Sequence, residues 1–190
     1  MPNLYIISGC NGAGKTTASY TILPEILHCS EFINADNIAA ELSPLNPESV
    51  AIESGRKMLE RIEELVQERV DFAIETTLST RSYVSLIKEV QKAGYKVNLL
   101  FFWLSSPAVA IERVARRVSK GGHHIPSDVI ERRYFRGIYN LYNLYMPVCD
   151  EWVLVNNMDL IPEVVAKSIG LVKTIYIDEL WKYIKQQYHG

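Results

Sequence analysis

The sequence predicts an α/β protein in three layers: a parallel five-stranded sheet with helices on both faces. Two observations carry this prediction. Five short apolar segments, at residues 4–8, 31–34, 72–75, 96–104 and 151–155, alternate with longer stretches of helical periodicity, and such alternation forces parallel strands joined by crossover helices. A glycine-rich loop, Gly9-Cys10-Asn11-Gly12-Ala13-Gly14-Lys15-Thr16, directly follows the first segment and opens a helix.

Taken in order, the first segment, Leu4-Tyr5-Ile6-Ile7, has the unbroken apolar character of a strand buried on both faces. After the second segment, the best helix covers residues 48–69: Met58, Ile62, Leu65 and Val66 share one face while Glu and Arg fill the other. A helix over 81–93 ends at Gly94, a residue suited to the left-handed turn that stops a helix. Ser106-Pro107 opens another, with proline at its first position. Ser127-Asp128 begins a further helix whose aromatic face runs to Tyr145 before Pro147. Leu180, Trp181, Ile184 and Tyr188 mark a C-terminal amphipathic helix that packs on the rest.

The chain of 190 residues is read as one domain over 1–190, large enough for a substantial core. Its formal net charge is −2, with both signs dispersed, which points away from nucleic acid and from membrane surfaces. Three separated cysteines, Cys10, Cys29 and Cys149, fit a reducing compartment and no disulfide framework. The apolar run at 97–104 is too short to span a bilayer, and the first strand begins almost at Met1, leaving no room for a secretory leader. The expectation is a cytoplasmic protein.

The loop matches G-x-x-x-x-G-K-[ST], the phosphate-binding P-loop, in the strand–loop–helix context that the motif requires. Backbone N–H groups of Gly9, Asn11, Gly12, Ala13, Gly14, Lys15, Thr16 and Thr17 are expected to surround phosphate oxygens at a helix N-terminus. Lys15 reaches the β/γ-phosphates and the Thr16 hydroxyl places Mg²⁺. The ligand so implied is ATP with Mg²⁺, and the fold a P-loop NTPase sandwich. No apolar strand in the expected place ends in aspartate, since Phe101-Phe102-Trp103-Leu104 runs into Ser105-Ser106. Glu75 is therefore the best acidic group for indirect metal contact.

Asp36 lies just past the second strand, at the sheet edge where ligands of parallel α/β folds gather. Two roles suit it there: a base taking a proton from a substrate hydroxyl, or a cap for a short helix over 37–42. Spacing alone leaves both open.

Ile33-Asn34-Ala35-Asp36, about two dozen residues after the P-loop, resembles the zeta-toxin family of P-loop kinases. So do Ile74-Glu75-Thr76-Thr77-Leu78, the segment from Arg117 through Gly121-Gly122-His123-His124-Ile125-Pro126 to Arg132-Arg133-Tyr134, and Trp152-Val153-Leu154-Val155-Asn156-Asn157. The resemblance, from residue 4 to about 166, implies a kinase-like strand order and transfer of the ATP γ-phosphate to a small hydroxyl acceptor; characterised toxins act on a UDP-linked amino sugar. It makes Asp36 the general base, Glu75 and Thr77 substrate-binding residues, and Arg117 and Arg133 the arginines on the transferring phosphate, with Arg116, Arg132 and Arg136 as alternatives. It implies an antitoxin as protein partner. The chain departs from the family where Asn156 stands in place of Asp and Met158 in place of a small residue, and where little except one or two helices is expected after the last strand.

Six arginines between 113 and 136 flank Gly121-Gly122. Beside a P-loop they are read as a lid whose glycines act as a hinge; by themselves they suit the solvated faces of two helices. His123 and His124 are adjacent and make a poor chelate. Tyr134, Phe135, Tyr139, Tyr142 and Tyr145 fit packing at helical spacing or stacking on a base. Two other function classes compete with the small-molecule kinase: an ATPase coupled to a partner protein, and a nucleic-acid end kinase. An ABC-type signature and the Asn-Lys-x-Asp of GTPases are both missing from the sequence.

Overall fold

The computed structural model describes residues 1–187. In chain order it comprises β1 (Asn3–Gly9), α1 (Lys15–Glu25), β2 (Glu31–Ile33), α2 (Ala35–Leu42), α3 (Ala51–Glu68), β3 (Phe72–Thr76), α4 (Tyr83–Lys92), β4 (Lys96–Trp103), α5 (Pro107–Val118), α6 (Ser127–Asn140), β5 (Glu151–Asn156), β6 (Glu163–Ile169), β7 (Val172–Ile175) and α7 (Asp178–Gln186). One sheet runs β2-β3-β1-β4-β5-β6-β7. The first five strands are parallel, with Leu4 opposite Phe72 and Val97, and Asn98 opposite Glu151.

The five-stranded, purely parallel sheet expected from the sequence is corrected here to a mixed sheet of seven. β6 joins β5 antiparallel, and β7 joins β6 antiparallel through the turn at Gly170-Leu171. Residues 163–175 therefore form a hairpin where only helices were expected. Their alternation was hard to read because β7 is exposed throughout, and in β6 a bulge buries the adjacent Val165 and Ala166.

Burial explains why the central strands form where they do. Leu4, Ile6 and Ile7 of β1 and Val97 and Leu99 of β4 are fully buried, as a strand covered by helices on both faces must be. The chain steps in one direction from β1 to β2 and in the other from β2 through β3 to β4. Right-handed crossovers then put α1 on the face opposite α3 and α4. α3 seals its layer through Met58, Ile62 and Leu65, each worth about 1.5–3 kcal/mol when fully buried. A 3₁₀ turn, Pro47–Val50, precedes it, so the helix begins three residues later than its periodicity suggests. The Tyr95 hydroxyl donates to the Leu65 and Val70 carbonyls at 2.9 and 3.0 Å and satisfies acceptors at the end of α3.

The helix expected over 127–145 is α6 followed by one π turn, Leu141–Tyr145. Its aromatic residues divide by face. Tyr134 and Tyr145 are buried and Tyr142 stacks edge-on against Trp181, whereas Phe135 and Tyr139 are exposed. The buried members brace the loop after β3: Tyr145 donates to the Thr80 carbonyl at 2.6 Å and Asn140 to the Leu78 carbonyl at 2.7 Å. In α7, Trp181 and Ile184 face the core and Trp181 stacks on Trp152 of β5; Tyr188, counted with them from the sequence, lies outside the described residues. No helix among the described residues is long and apolar enough to cross a membrane.

Candidate active site

The carboxyl ends of β1, β2 and β3 lie side by side and bring together the P-loop, Asn34 with Asp36, and Glu75. The P-loop leaves β1 at Gly9, whose φ of +140° and tight surroundings exclude a side chain: an added Cβ would lie 2.3 Å from the Phe102 carbonyl oxygen. The loop closes on itself through the Ala13 N–H and the Cys10 carbonyl, 3.2 Å apart, and α1 starts at Lys15. The N-terminus of α1 has no side-chain cap, so its N–H groups remain available to an anion.

Lys15 is buried. Its Nζ donates to the Cys10 carbonyl at 3.0 Å and lies 3.6 Å from a Glu75 carboxylate oxygen. The other Glu75 oxygen accepts from the Thr16 hydroxyl at 2.8 Å. Glu75 thus sits beside both Lys15 and Thr16 of the P-loop. Burial pushes the Cys10 thiol up to about 11 despite the opposing pull of Lys15, and so keeps it protonated near neutral pH.

Two cavities open on this edge. The first, about 450 Å³, is lined by Gly12, Gly14, Lys15, Thr16, Thr17 and Glu75, and its far wall holds Arg113, Arg117 and His123. The second, about 540 Å³, lies between α2, α3 and the start of α6; small residues such as Ala39, Ala51 and Ser54 line it, with Arg132 and Arg133 at its margin. Asp36, Ala40 and His123 line both. Asp36 therefore stands where the two spaces meet.

Asp36 is not the cap of the helix that follows β2. That helix starts at Ala35, and its cap is Asn34, whose side-chain oxygen accepts the Asp36 N–H at 2.8 Å. The capping alternative fails because Asn34 already occupies the position, which leaves the Asp36 carboxylate to face the cavities.

The arginines also separate. Arg113 and Arg117 are one helical turn apart on α5 and both line the first cavity; Arg116, on another face, is exposed and pairs with Glu112 at 2.7 Å. Arg117 donates to the His123 carbonyl at 2.9 Å. Arg133 donates to the Asn11 side-chain oxygen at 3.3 Å, tying α6 to the P-loop. Arg132 lies 3.9 Å from Asp128, and Arg136 is exposed.

The Gly121-Gly122 hinge has a defined shape in the structure. Gly121 adopts φ +86°, its N–H reaches the Val118 carbonyl and that of Gly122 reaches the Arg117 carbonyl, the paired bonds of a Schellman stop. His123 faces Glu48 at 3.7 Å and His124 is exposed.

Thr77 enters neither cavity. Its hydroxyl shares a 2.9 Å hydrogen bond with Ser79, in the loop that the end of α6 braces.

Sequence reasoning missed three contributors. Asn157 donates to the Ala13 carbonyl at 2.7 Å and so supports the P-loop from the end of β5. Arg113 holds the Asn157 and Met158 carbonyls at 2.9 and 2.8 Å. Asn34 fixes the start of α2. The four-residue spacing of Arg113 and Arg117 was the available signal for Arg113, whereas Asn157 and the P-loop are joined only by tertiary structure.

The Thr16 hydroxyl and the Glu75 carboxylate are hard oxygen donors held side by side at the mouth of the P-loop, a donor set that fits Mg²⁺.

Known proteins resemble this chain in sequence and in fold. A curated relative, an uncharacterized protein of Haemophilus influenzae strain Rd, is 29% identical over 126 residues, 66% of this chain and 88% of that protein. The fold is similar to a chain of the AvrRxo1-ORF1:AvrRxo1-ORF2 complex, solved with sulphate ions (TM-score 0.79, 18% identity) and with ATP (TM-score 0.76, 19% identity). Each match covers 97% of this chain, which spans only 63% of the length of the AvrRxo1 chain. A structure from the PezAT chromosomal toxin–antitoxin system of Streptococcus pneumoniae matches with TM-score 0.66 at 18% identity, over 100% of this chain and 86% of that one. At such identities these structures establish the fold. Family membership rests on the sequence, where the Zeta toxin profile matches residues 1–145, a span that takes in the P-loop, Asp36, Glu75 and the arginine-bearing segment: the chain belongs to the Zeta toxin family.

Proposed function

We propose that the protein is an ATP-dependent kinase that transfers the γ-phosphoryl group to a hydroxyl of a small, anionic acceptor. One observation carries this reading: Asp36 lines both the phosphate-side cavity and the second cavity, whose margin holds Arg132 and Arg133. A carboxylate at that junction can meet a hydroxyl from one side and a phosphoryl group from the other.

The acceptor hydroxyl loses its proton to the Asp36 carboxylate as its oxygen attacks the γ-phosphorus, and the bond from that phosphorus to the β–γ bridging oxygen breaks, releasing ADP. Lys15 and the helix N-terminus offset charge on the β/γ oxygens; Arg117, Arg113 and Arg133 approach from the lid side. Thr16 and Glu75 would hold Mg²⁺, which when bound supplies positive charge to the same oxygens. Glu75 is read here on the metal side and not as an acceptor contact, because it touches Lys15 and Thr16 and does not line the second cavity. Thr77 acts indirectly, through the loop it helps to order. The family suggests a UDP-amino sugar as acceptor, an antitoxin as partner and the cytoplasm as the place of action.

The test is phosphate transfer from ATP·Mg²⁺ to a panel of hydroxyl acceptors headed by UDP-N-acetylglucosamine, with wild type and Asp36→Ala side by side. Transfer should fall by about 10²–10⁴-fold in the variant, as expected for loss of a general base, with nucleotide binding nearly unchanged. Full transfer by Asp36→Ala would remove the base assignment. ATP turnover by wild type with no phosphorylated product across the panel would favour an ATPase coupled to a partner.

A further inference from the structure

At the edge of the sheet opposite β2, the hairpin of β6 and β7 lies beyond the residues that the family profile matches. β7 pairs with β6 on one side, and among the described residues no strand pairs with its other side. The direction of its free backbone groups follows from the hairpin register. Ile169 and Val172 flank the two-residue turn and face each other as a bonded pair, and N–H groups alternate between the two sides of a strand in an antiparallel ladder. Lys173 and Ile175 therefore turn their N–H and C=O groups outward.

Edge strands that remain single are usually blunted by proline, by charge or by a covering element. β7 reads Val-Lys-Thr-Ile, without proline and with one charge. That charge is drawn sideways: the Lys173 ammonium lies over the Trp181 ring, 5.0 Å from its centroid. Apolar side chains beside the edge are open to solvent, Leu171 at 104%, Val172 at 70% and Tyr176 at 54% exposure.

We propose that β7 pairs antiparallel with β7 of a second copy of this chain, about a two-fold axis at Thr174, so that the two sheets become one. The strand's own sequence selects this occupant. With Lys173 and Ile175 supplying the outward bonds, the two-fold register sets Lys173 opposite Ile175 of the second copy, Thr174 opposite Thr174, and Val172 opposite Tyr176. Thr–Thr and β-branched–aromatic pairs are favourable across strands, and no like charges meet. Moving the register one bonded pair toward the hairpin tip would set Lys173 against itself, which repulsion disfavours. The contact is self-complementary and closes at two copies.

The experiment is the solution mass of the full chain by light scattering and sedimentation, with Thr174→Glu and Lys173→Pro. Thr174→Glu places two carboxylates face to face on the axis, while within its own hairpin it faces Lys167, the cross-strand neighbour of Thr174. Lys173→Pro removes an outward donor and leaves the ladder to β6 intact, as proline on an open edge does. Wild type should have twice the monomer mass, and each variant should halve it while keeping native circular dichroism and cooperative melting at a midpoint that no longer depends on protein concentration. A wild type that is monomeric at every concentration, or a dimer that survives both substitutions, would overturn the proposal.

Discussion

The P-loop and the arginine-bearing segment face each other across one cavity, but different forces hold them. The P-loop is fixed by its backbone: Gly9 sits against the buried β4 carbonyl of Phe102, Ala13 is bonded by Asn157, and the whole turn is screwed down at the centre of the sheet. The opposite wall is held by side chains: Arg117 on the His123 carbonyl and His123 beside Glu48 at the surface, and Arg113, partly buried, on the Asn157 and Met158 carbonyls. Backbone geometry locked by a core does not yield to a ligand, whereas solvent-exposed contacts of a kcal/mol or so can be exchanged. On the proposed reading, one side receives phosphate and the other rearranges around it.

The sharpest way to break this comparison is at Gly9. Gly9→Ala forces a Cβ to within 2.3 Å of a backbone oxygen at φ +140°, and neither neighbour can move without disturbing β1 and β4. The expected loss is about 3 kcal/mol or more, read as a lower denaturation midpoint or as insoluble protein. Near-normal stability would mean that the loop yields, and the contrast between the two walls would collapse.

Asn157 tests the next layer. Its side-chain amide is the link between the end of β5 and the P-loop backbone, so Asn157→Ala should weaken nucleotide binding by about 1–3 kcal/mol through an unsatisfied Ala13 carbonyl. The readout is KM for ATP against kcat at saturating ATP. A positioning role predicts a raised KM with kcat largely kept; a loss of kcat alone would place Asn157 in contact with the reacting groups.

The two walls also differ in what a sequence reveals. The P-loop could be read residue by residue because its function depends on local conformation: glycine spacing, the following lysine and threonine, and a strand before them. Asp36 and Glu75 were legible as strand-end acids, but whether Asp36 caps a helix was decided only when Asn34 took that place. Asn157 could not be ranked from the sequence, since its partner is the P-loop, far away in the chain. The hairpin of β6 and β7 escaped altogether: β7 has no buried face, and a bulge in β6 buries the adjacent Val165 and Ala166 and so breaks its alternation.

The smallest effect makes the finest division, and it lies within one turn of helix. Arg116 and Arg117 are neighbours in sequence, yet α5 points Arg117 into the cavity and Arg116 toward solvent and Glu112. Arg117→Ala should lower kcat by about tenfold, below the roughly 10²–10³ of a preorganised, water-excluded donor because Arg117 is exposed. Arg116→Ala removes an exposed i,i+4 pair, so stability should change by less than about 0.5 kcal/mol and turnover not at all. Equal losses from both substitutions would mean that α5 rotates when the wall closes, bringing its other face to the phosphate. Loss from Arg117→Ala alone would mean that the helix keeps its orientation and that only side chains move.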